Sequence, residues 1–213
     1  MDVLAKFIYK KQNPNAILLA GKNSRQIADL LNFLLRKFFV IKQLEIGDGF
    51  VRYNEAKNAN YVILRADKIT DFDIKFLLEN SKTCIAGFDL FEAPLKDKEI
   101  FLNRLANMKN GLQQKISIIH SQDKPEFSEC LTEYKIKAMS FGMEPGCDIL
   151  ASDMNFGSKG NFKINYKGKT IPIWIGNLGQ KNQVSSALCA IGLVEMMGLN
   201  LIEISQEFRY YSF

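Results

Sequence analysis

Apolar and polar positions fall into two textures along this chain. Ala16 to Ala20 (AILLA) is a short continuous apolar run between Asn-Pro-Asn and Gly-Lys-Asn-Ser, which predicts a buried strand running into a turn. From Gln26 to Phe39 the apolar residues Ile27, Leu30, Leu31, Leu34, Leu35 and Phe38 recur three and four apart, so a helix with one core-facing side is predicted. Strand, glycine turn and helix together make the opening unit of a parallel α/β domain. Similar apolar runs at Tyr61–Leu64, Cys84–Ala86 and Ile116–Ile119 predict further strands, separated by helical-looking stretches at Ile74–Glu79 and Lys98–Met108. Unbroken rather than alternating apolar character suits strands covered on both faces.

After Met139 the texture changes. Asn161 to Ile175 alternates around a Lys-Gly pair, predicting an antiparallel hairpin, and Val184 to Met197 predicts a strong helix with Gly198 as its C-terminal stop. With no internal repeat, low-complexity tract or linker, residues 1–213 are expected to form a single domain. The expected fold class is α/β: a mostly parallel sheet with helices on both faces and a small antiparallel hairpin near the C-terminal end.

Composition narrows the function classes. The 47% hydrophobic and 24% charged residues are those of an ordinary globular protein, and the formal charge of +5 is spread along the chain. That excess mildly favours anionic partners, but no basic arm or nucleic-acid motif accompanies it, so no nucleic-acid partner is expected. Cys84, Cys130, Cys147 and Cys189 include no C-x-x-C pair and are expected to be reduced, mostly buried thiols. The N-terminus lacks a signal-peptide pattern and no apolar run is long enough to span a bilayer, so a cytoplasmic protein without membrane insertion is expected.

The C-terminal third carries a family resemblance. Phe141 and Gly142 at a strand end, then Asp148, Ile149 and Ala151, a hairpin, and Gly179, Asn182, Ala187 and Ala190 opening a helix are similar to the closing part of the Mur ligase central domain, with its G-x-H-N-x-x-N-x-x-A-A segment. At the front, LAKFIYKKQNPNAILLAGKNSRQ resembles that family's strand and T-G-T-N-G-K-T-T loop. Gly21 and Asn23 match, while Ser24, Arg25 and Gln26 stand where the family has Gly, Lys and Thr. The resemblance implies a P-loop-like domain of an enzyme that activates a carboxylate with ATP and lets an amino acid displace the phosphate. The chain begins at the family's lead-in segment and stops near the link to its C-terminal domain, so neither flanking domain is expected within it.

The substitutions bear on that chemistry. A phosphate loop needs glycines that let backbone N–H groups close on phosphate, a lysine on the terminal phosphates and a hydroxyl on magnesium. Ser24 adds a Cβ where positive φ is expected, Arg25 is larger and planar, and Gln26 lacks the hydroxyl. Arg65 stands near the family's magnesium-binding glutamate, Gly87 and Phe88 near its Thr-Asn pair, and Lys181 at its histidine; of its N-x-D-D stretch only Asp123 is kept. GKNSRQ also reads simply as a polar strand-to-helix turn capped by Asn23 or Ser24.

The expectation is therefore a non-catalytic Mur-ligase-like domain with a binding or scaffolding role in peptidoglycan synthesis, working with a protein partner. Gly21, Asn23, Ser24, Arg25, Asp123, Lys181 and Asn182 form its vestigial nucleotide site, with no catalytic residue and no metal ligand. No cofactor is expected. The alternative is a divergent ATP-dependent acid–amino acid ligase, or its nucleotide-binding subunit, using ATP and magnesium with partner chains. An unrelated P-loop-like or Rossmann-like module is the third reading. His120, the only histidine, is expected at a strand end facing a cleft. Asp148 and Asp153 are expected as surface or capping residues, Trp174 as core or hairpin packing, and the FRYYSF tail as packed on the domain, with a docking peptide as its alternative.

Overall fold

The computed structural model describes residues 14–21, 23–45, 58–66, 81–88, 116–121, 129, 131–133 and 135–213. In chain order its strands are β1 (Asn15–Ala20), β2 (Ile41–Glu45), β3 (Tyr61–Ala66), β4 (Cys84–Phe88), β5 (Ile116–Ser121), β6 (Lys137–Gly142), β7 (Ile149–Asn155), β8 (Gly157–Tyr166) and β9 (Lys169–Leu178). Among the described residues the helices used below are α1 (Ser24–Leu35), α2 (Lys181–Met196) and α3 (Leu201–Phe208). All nine strands join one sheet in the order β2-β3-β1-β4-β5-β6-β7-β8-β9. The pairings from β2 to β7 are parallel, and β7–β8 and β8–β9 are antiparallel.

The unbroken apolar runs predicted from the sequence are the central parallel strands, and β1 is buried from Ala16 to Ala20. Their residues divide by alternation. Ile17, Leu19, Ile63, Ile85 and Ile119 join one continuous core with α1, α2 and α3, while Leu18, Val62, Leu64 and Ile118 are equally buried on the other face. α1, α2 and α3 thus lie on the first of these faces. The helical stretches predicted at Ile74–Glu79 and Lys98–Met108 lie outside the described residues.

α1 inserts Ile27, Leu30, Leu31, Leu34 and Leu35, all with no exposed surface. Each is worth about 1.5–3 kcal/mol relative to an exposed position. The helix is shorter at its end than the periodicity predicts. Phe38 and Phe39 both donate from their backbone N–H to the Leu35 carbonyl, which tightens the last turn. Phe39 then swings back to meet Tyr61 edge-on at 4.8 Å, leaving Phe38 40% exposed instead of on the buried face.

α2 lies across β4, β5 and β6, and two glycines permit the approach. A Cβ at Gly87 would fall 3.0 Å from Leu193 Cδ1, and one at Gly192 would fall 2.9 Å from Ile119 Cδ1. Gly198 follows α2 with φ +81 and donates its N–H to the Glu195 carbonyl, as the C-terminal stop predicted for it.

The hairpin β8–β9 turns at Lys167-Gly168, both at positive φ. β9 is an edge strand, where Pro172 is tolerated because a missing backbone donor costs least there. The C-terminal tail covers part of that edge: Gly176 donates to the Tyr211 carbonyl and accepts from Phe213 N–H. Phe208 is fully buried and Tyr211 packs on Phe33 at 5.2 Å, so the tail is packed on the domain as expected. Of the two readings of Trp174, core or hairpin packing, the core is corrected: Trp174 lies 44% exposed on the outer face of the hairpin. The opposite edge strand, β2, was not expected at all; its sequence IKQLE is too polar to form an apolar run.

Candidate functional site

The parallel strands deliver their C-terminal ends to one edge of the sheet, and β1 and β4, whose onward connections run in opposite directions, lie side by side. A crevice outside such a switch point is where open α/β sheets bind ligands. The turn leaving β1 occupies it. Gly21 has φ +114, a backbone that only glycine adopts without strain, and its carbonyl accepts from Ser24 N–H at 3.0 Å.

Asn23 is the N-cap of α1, but its side chain makes no capping hydrogen bond. Ser24 corrects the expectation of a positive φ: it is the first residue of α1, is absent from the residues with left-handed backbone, and is buried. Its Cβ is therefore no obstacle to the turn. Arg25 points into solvent, and the first turn of α1 holds no acidic residue to oppose the helix dipole.

The start of α2 comes to the same end of the sheet. Ser186 Oγ lies 2.8 Å from Gln26 Oε1 and 3.0 Å from the Asn182 carbonyl oxygen. A hydroxyl carries one proton, so both contacts are satisfied when the Gln26 amide is turned to donate its N–H to Ser186 and Ser186 donates to Asn182. Lys181 and Asn182 are exposed on the first turn. Just before them, the Gln183 side-chain oxygen accepts from the N–H groups of Gly179 at 2.6 Å and Gln180 at 3.0 Å. Two donors that could face an anion are thus occupied within the helix start itself.

Gly21, Asn23, Ser24, Arg25, Lys181 and Asn182 accordingly gather at two adjacent helix N-termini. Asp123, the seventh residue of the expected site, lies outside the described residues, as does Cys130. Ser186 and Gln183 were missed by sequence reasoning. The available signal was Ser185 and Ser186, two polar residues at the head of the buried stretch Val184–Val194.

Two side chains bear on whether ATP and magnesium could be held here. Gln26, which the sequence resemblance aligns with a magnesium-binding hydroxyl, has its carboxamide engaged by Ser186. Arg65 stands on β3 in register with Leu19 of β1, two residues before Gly21. Among the described residues no cluster of His, Cys, Asp or Glu could hold a metal ion.

Other candidates resolve into structure. His120 is at the end of β5 but 2% exposed, with Nδ1–H donating to the Ser121 carbonyl at 3.1 Å, so it faces the interior rather than a cleft. Asp148 accepts from the Ser140 N–H and hydroxyl at 2.7 and 2.8 Å, pinning the loop before β7 to β6. Asp153 pairs with Lys163 at 2.8 Å. Cys84 and Cys189 are buried thiols, and burial pushes Cys84 up to about 12, which removes its nucleophilic form. No helix among the described residues is long and apolar enough to cross a membrane.

No family model and no curated protein matches the sequence. Solved structures do. The chain is similar to the UDP-N-acetylmuramoylalanyl-D-glutamyl-2,6-diaminopimelate–D-alanyl-D-alanyl ligase of Acinetobacter baumannii, with TM-score 0.72 and 16% identity over 98% of this chain and 48% of that one. It is similar to the MurF ligase of Thermotoga maritima, solved in complex with ADP, with TM-score 0.69 and 12% identity over 96% of this chain and 51% of that one. A mutant of L. casei FPGS matches with TM-score 0.68 and 9% identity over 99% of this chain and 66% of that one. The chain spans about half the length of the two Mur ligases, and its fold is the Mur ligase fold.

Proposed function

We propose that this chain is a Mur-ligase-like nucleotide domain that no longer performs ATP-driven ligation and serves as a binding or scaffolding module in peptidoglycan synthesis. The observation that carries the reading is the Gln26–Ser186 contact. The side chain at the place of the magnesium-binding hydroxyl is turned into a structural tie between α1 and α2. Phosphoryl transfer depends almost wholly on positioning the phosphate and neutralising its charge, so loss of the metal ligand removes most of what such a domain contributes.

A residual anion site is the second reading, favoured by exposed Arg25 and Lys181 at helix N-termini whose first turns hold no acid. It would suit a nucleotide-binding subunit that completes a ligase with partner chains.

Calorimetric titration with ATP and with ADP, each with and without magnesium, separates the two. No heat and no thermal stabilisation at millimolar nucleotide is the expected result. Micromolar, magnesium-dependent binding would overturn the proposal in favour of the ligase subunit.

A further inference from the structure

A hollow of about 480 Å³ is lined by Lys159, Gly160, Trp174, Ile175, Gly176 and Arg209, none of them a residue of the nucleotide turn. Its volume is that of a small ligand pocket. Gly160 and Gly176 contribute no side chains to it, which leaves backbone as its floor between an indole on one side and the end of α3 on the other. Trp174 is 44% exposed on an outer sheet face that is otherwise mostly polar, opposite Asn161 on β8.

The electrostatics are one-sided. Lys159 and Arg209 are exposed, and neither forms an ion pair among the described residues. Glu207 on α3 holds Lys37 at 2.7 Å, and Asp153 on β7 holds Lys163 at 2.8 Å. Two uncompensated cations thus flank an exposed indole. Tryptophan and arginine are the residue types that most often dominate binding at protein interfaces.

We infer that this hollow docks a short acidic segment of a partner protein, its carboxylates between Lys159 and Arg209 and a neighbouring apolar side chain against Trp174. The inference deepens the binding role proposed above and rests on it for the nature of the occupant. Charge complementarity selects an anion, and the exposed apolar ring selects one attached to an apolar body. A single-stranded nucleic acid is disfavoured by the same surface. It would need several stacking rings along a continuous basic track, and Asp153 interrupts the track at Lys163.

Trp174 is the only tryptophan of the chain, so its emission reports on this hollow without a label. The probe is a synthetic acetylated and amidated peptide alternating Glu or Asp with Leu or Phe, compared with its Gln/Asn isostere and with an oligothymidylate. The acidic peptide is expected to shift the emission to shorter wavelength and saturate. Lys159→Glu and Arg209→Glu, both at exposed positions, should weaken it at least about tenfold, and added salt should weaken it further. Thermal melts that match the parent's establish that the variants fold.

No shift at millimolar peptide, an equal response to the isostere, or an unchanged affinity in Arg209→Glu would each overturn the inference. Tighter binding of the oligothymidylate would overturn it in favour of nucleic acid. Arg25→Glu should leave peptide binding untouched, and nucleotide titration does not read this surface. A failure here is therefore distinguishable from a failure of the non-ligase reading.

Discussion

Ser186 and Gln26, 160 residues apart in the sequence, meet at 2.8 Å and tie the second turn of α2 to the first turn of α1. The contact is partly buried, so either side chain left alone loses a partner that water replaces poorly. Ser186→Ala is expected to cost about 1–2 kcal/mol in urea unfolding. Pairing it with Gln26→Leu should recover part of that, and the double-mutant cycle should give a coupling energy above about 0.5 kcal/mol. Additive single effects would show that the contact contributes nothing and would weaken the functional reading built on it.

The approach of α2 to the sheet makes a second prediction. A methyl group at residue 192 would sit 2.9 Å from Ile119 Cδ1 and 3.1 Å from Ile119 Cγ2, and the latter cannot swing away by a simple end rotation. Gly192→Ala should destabilise the fold by about 1–3 kcal/mol despite the better helix propensity of alanine. Ile119→Val in the same chain should restore part of the loss, measured as a shift in the denaturation midpoint. If alanine at residue 192 stabilised the protein, the close packing of α2 on β5 would be wrong.

Alkaline stability gives a third. Tyr166 is held above the usual phenol range, first by burial and then by its hydrogen bond to Glu195 at 2.8 Å, against the opposing effect of Lys167. Tyr61 and Tyr211 are raised by burial as well. A raised phenol keeps its proton longer in the folded chain than in the unfolded one. The stability these groups contribute is therefore fully present below about pH 10, the unfolded value, and lost as pH rises through the higher folded values. Thermal melts followed by circular dichroism above that pH should fall steeply, and Tyr166→Phe should flatten the fall without abolishing it. A slope identical in Tyr166→Phe would assign the effect to the other two tyrosines.

The sequence made the scaffold legible because burial on both faces of a parallel strand leaves an unbroken apolar run, and a helix on the core leaves a three-and-four spacing. On those signals β1, β3, β4, β5, the β8–β9 hairpin, α1 and α2 were placed within a few residues. The polar edge strand β2 left no such trace. The end of α1 was overrun because Phe38 continues the apolar period, whereas the contact that turns the chain, Phe39 on Tyr61, comes from another strand.

The candidate site was legible to a lesser degree. The glycine turn at Gly21 could be read directly, because a tight turn restricts residue types, and the departures at Ser24, Arg25 and Gln26 could be read against the family resemblance. Trp174 could not be placed, since alternation along β9 does not say which face a hairpin turns to solvent. By itself the sequence determined an α/β fold with a glycine turn into α1 and a polar Gln26 just after it. Only the tertiary structure decided that Gln26 is held by Ser186, that Gln183 fills the donors at Gly179 and Gln180, and that Lys159, Trp174 and Arg209 share a hollow. Each of those joins side chains that local spacing leaves independent, and it is the packing of α2 and the tail against the sheet that fixes which of them meet.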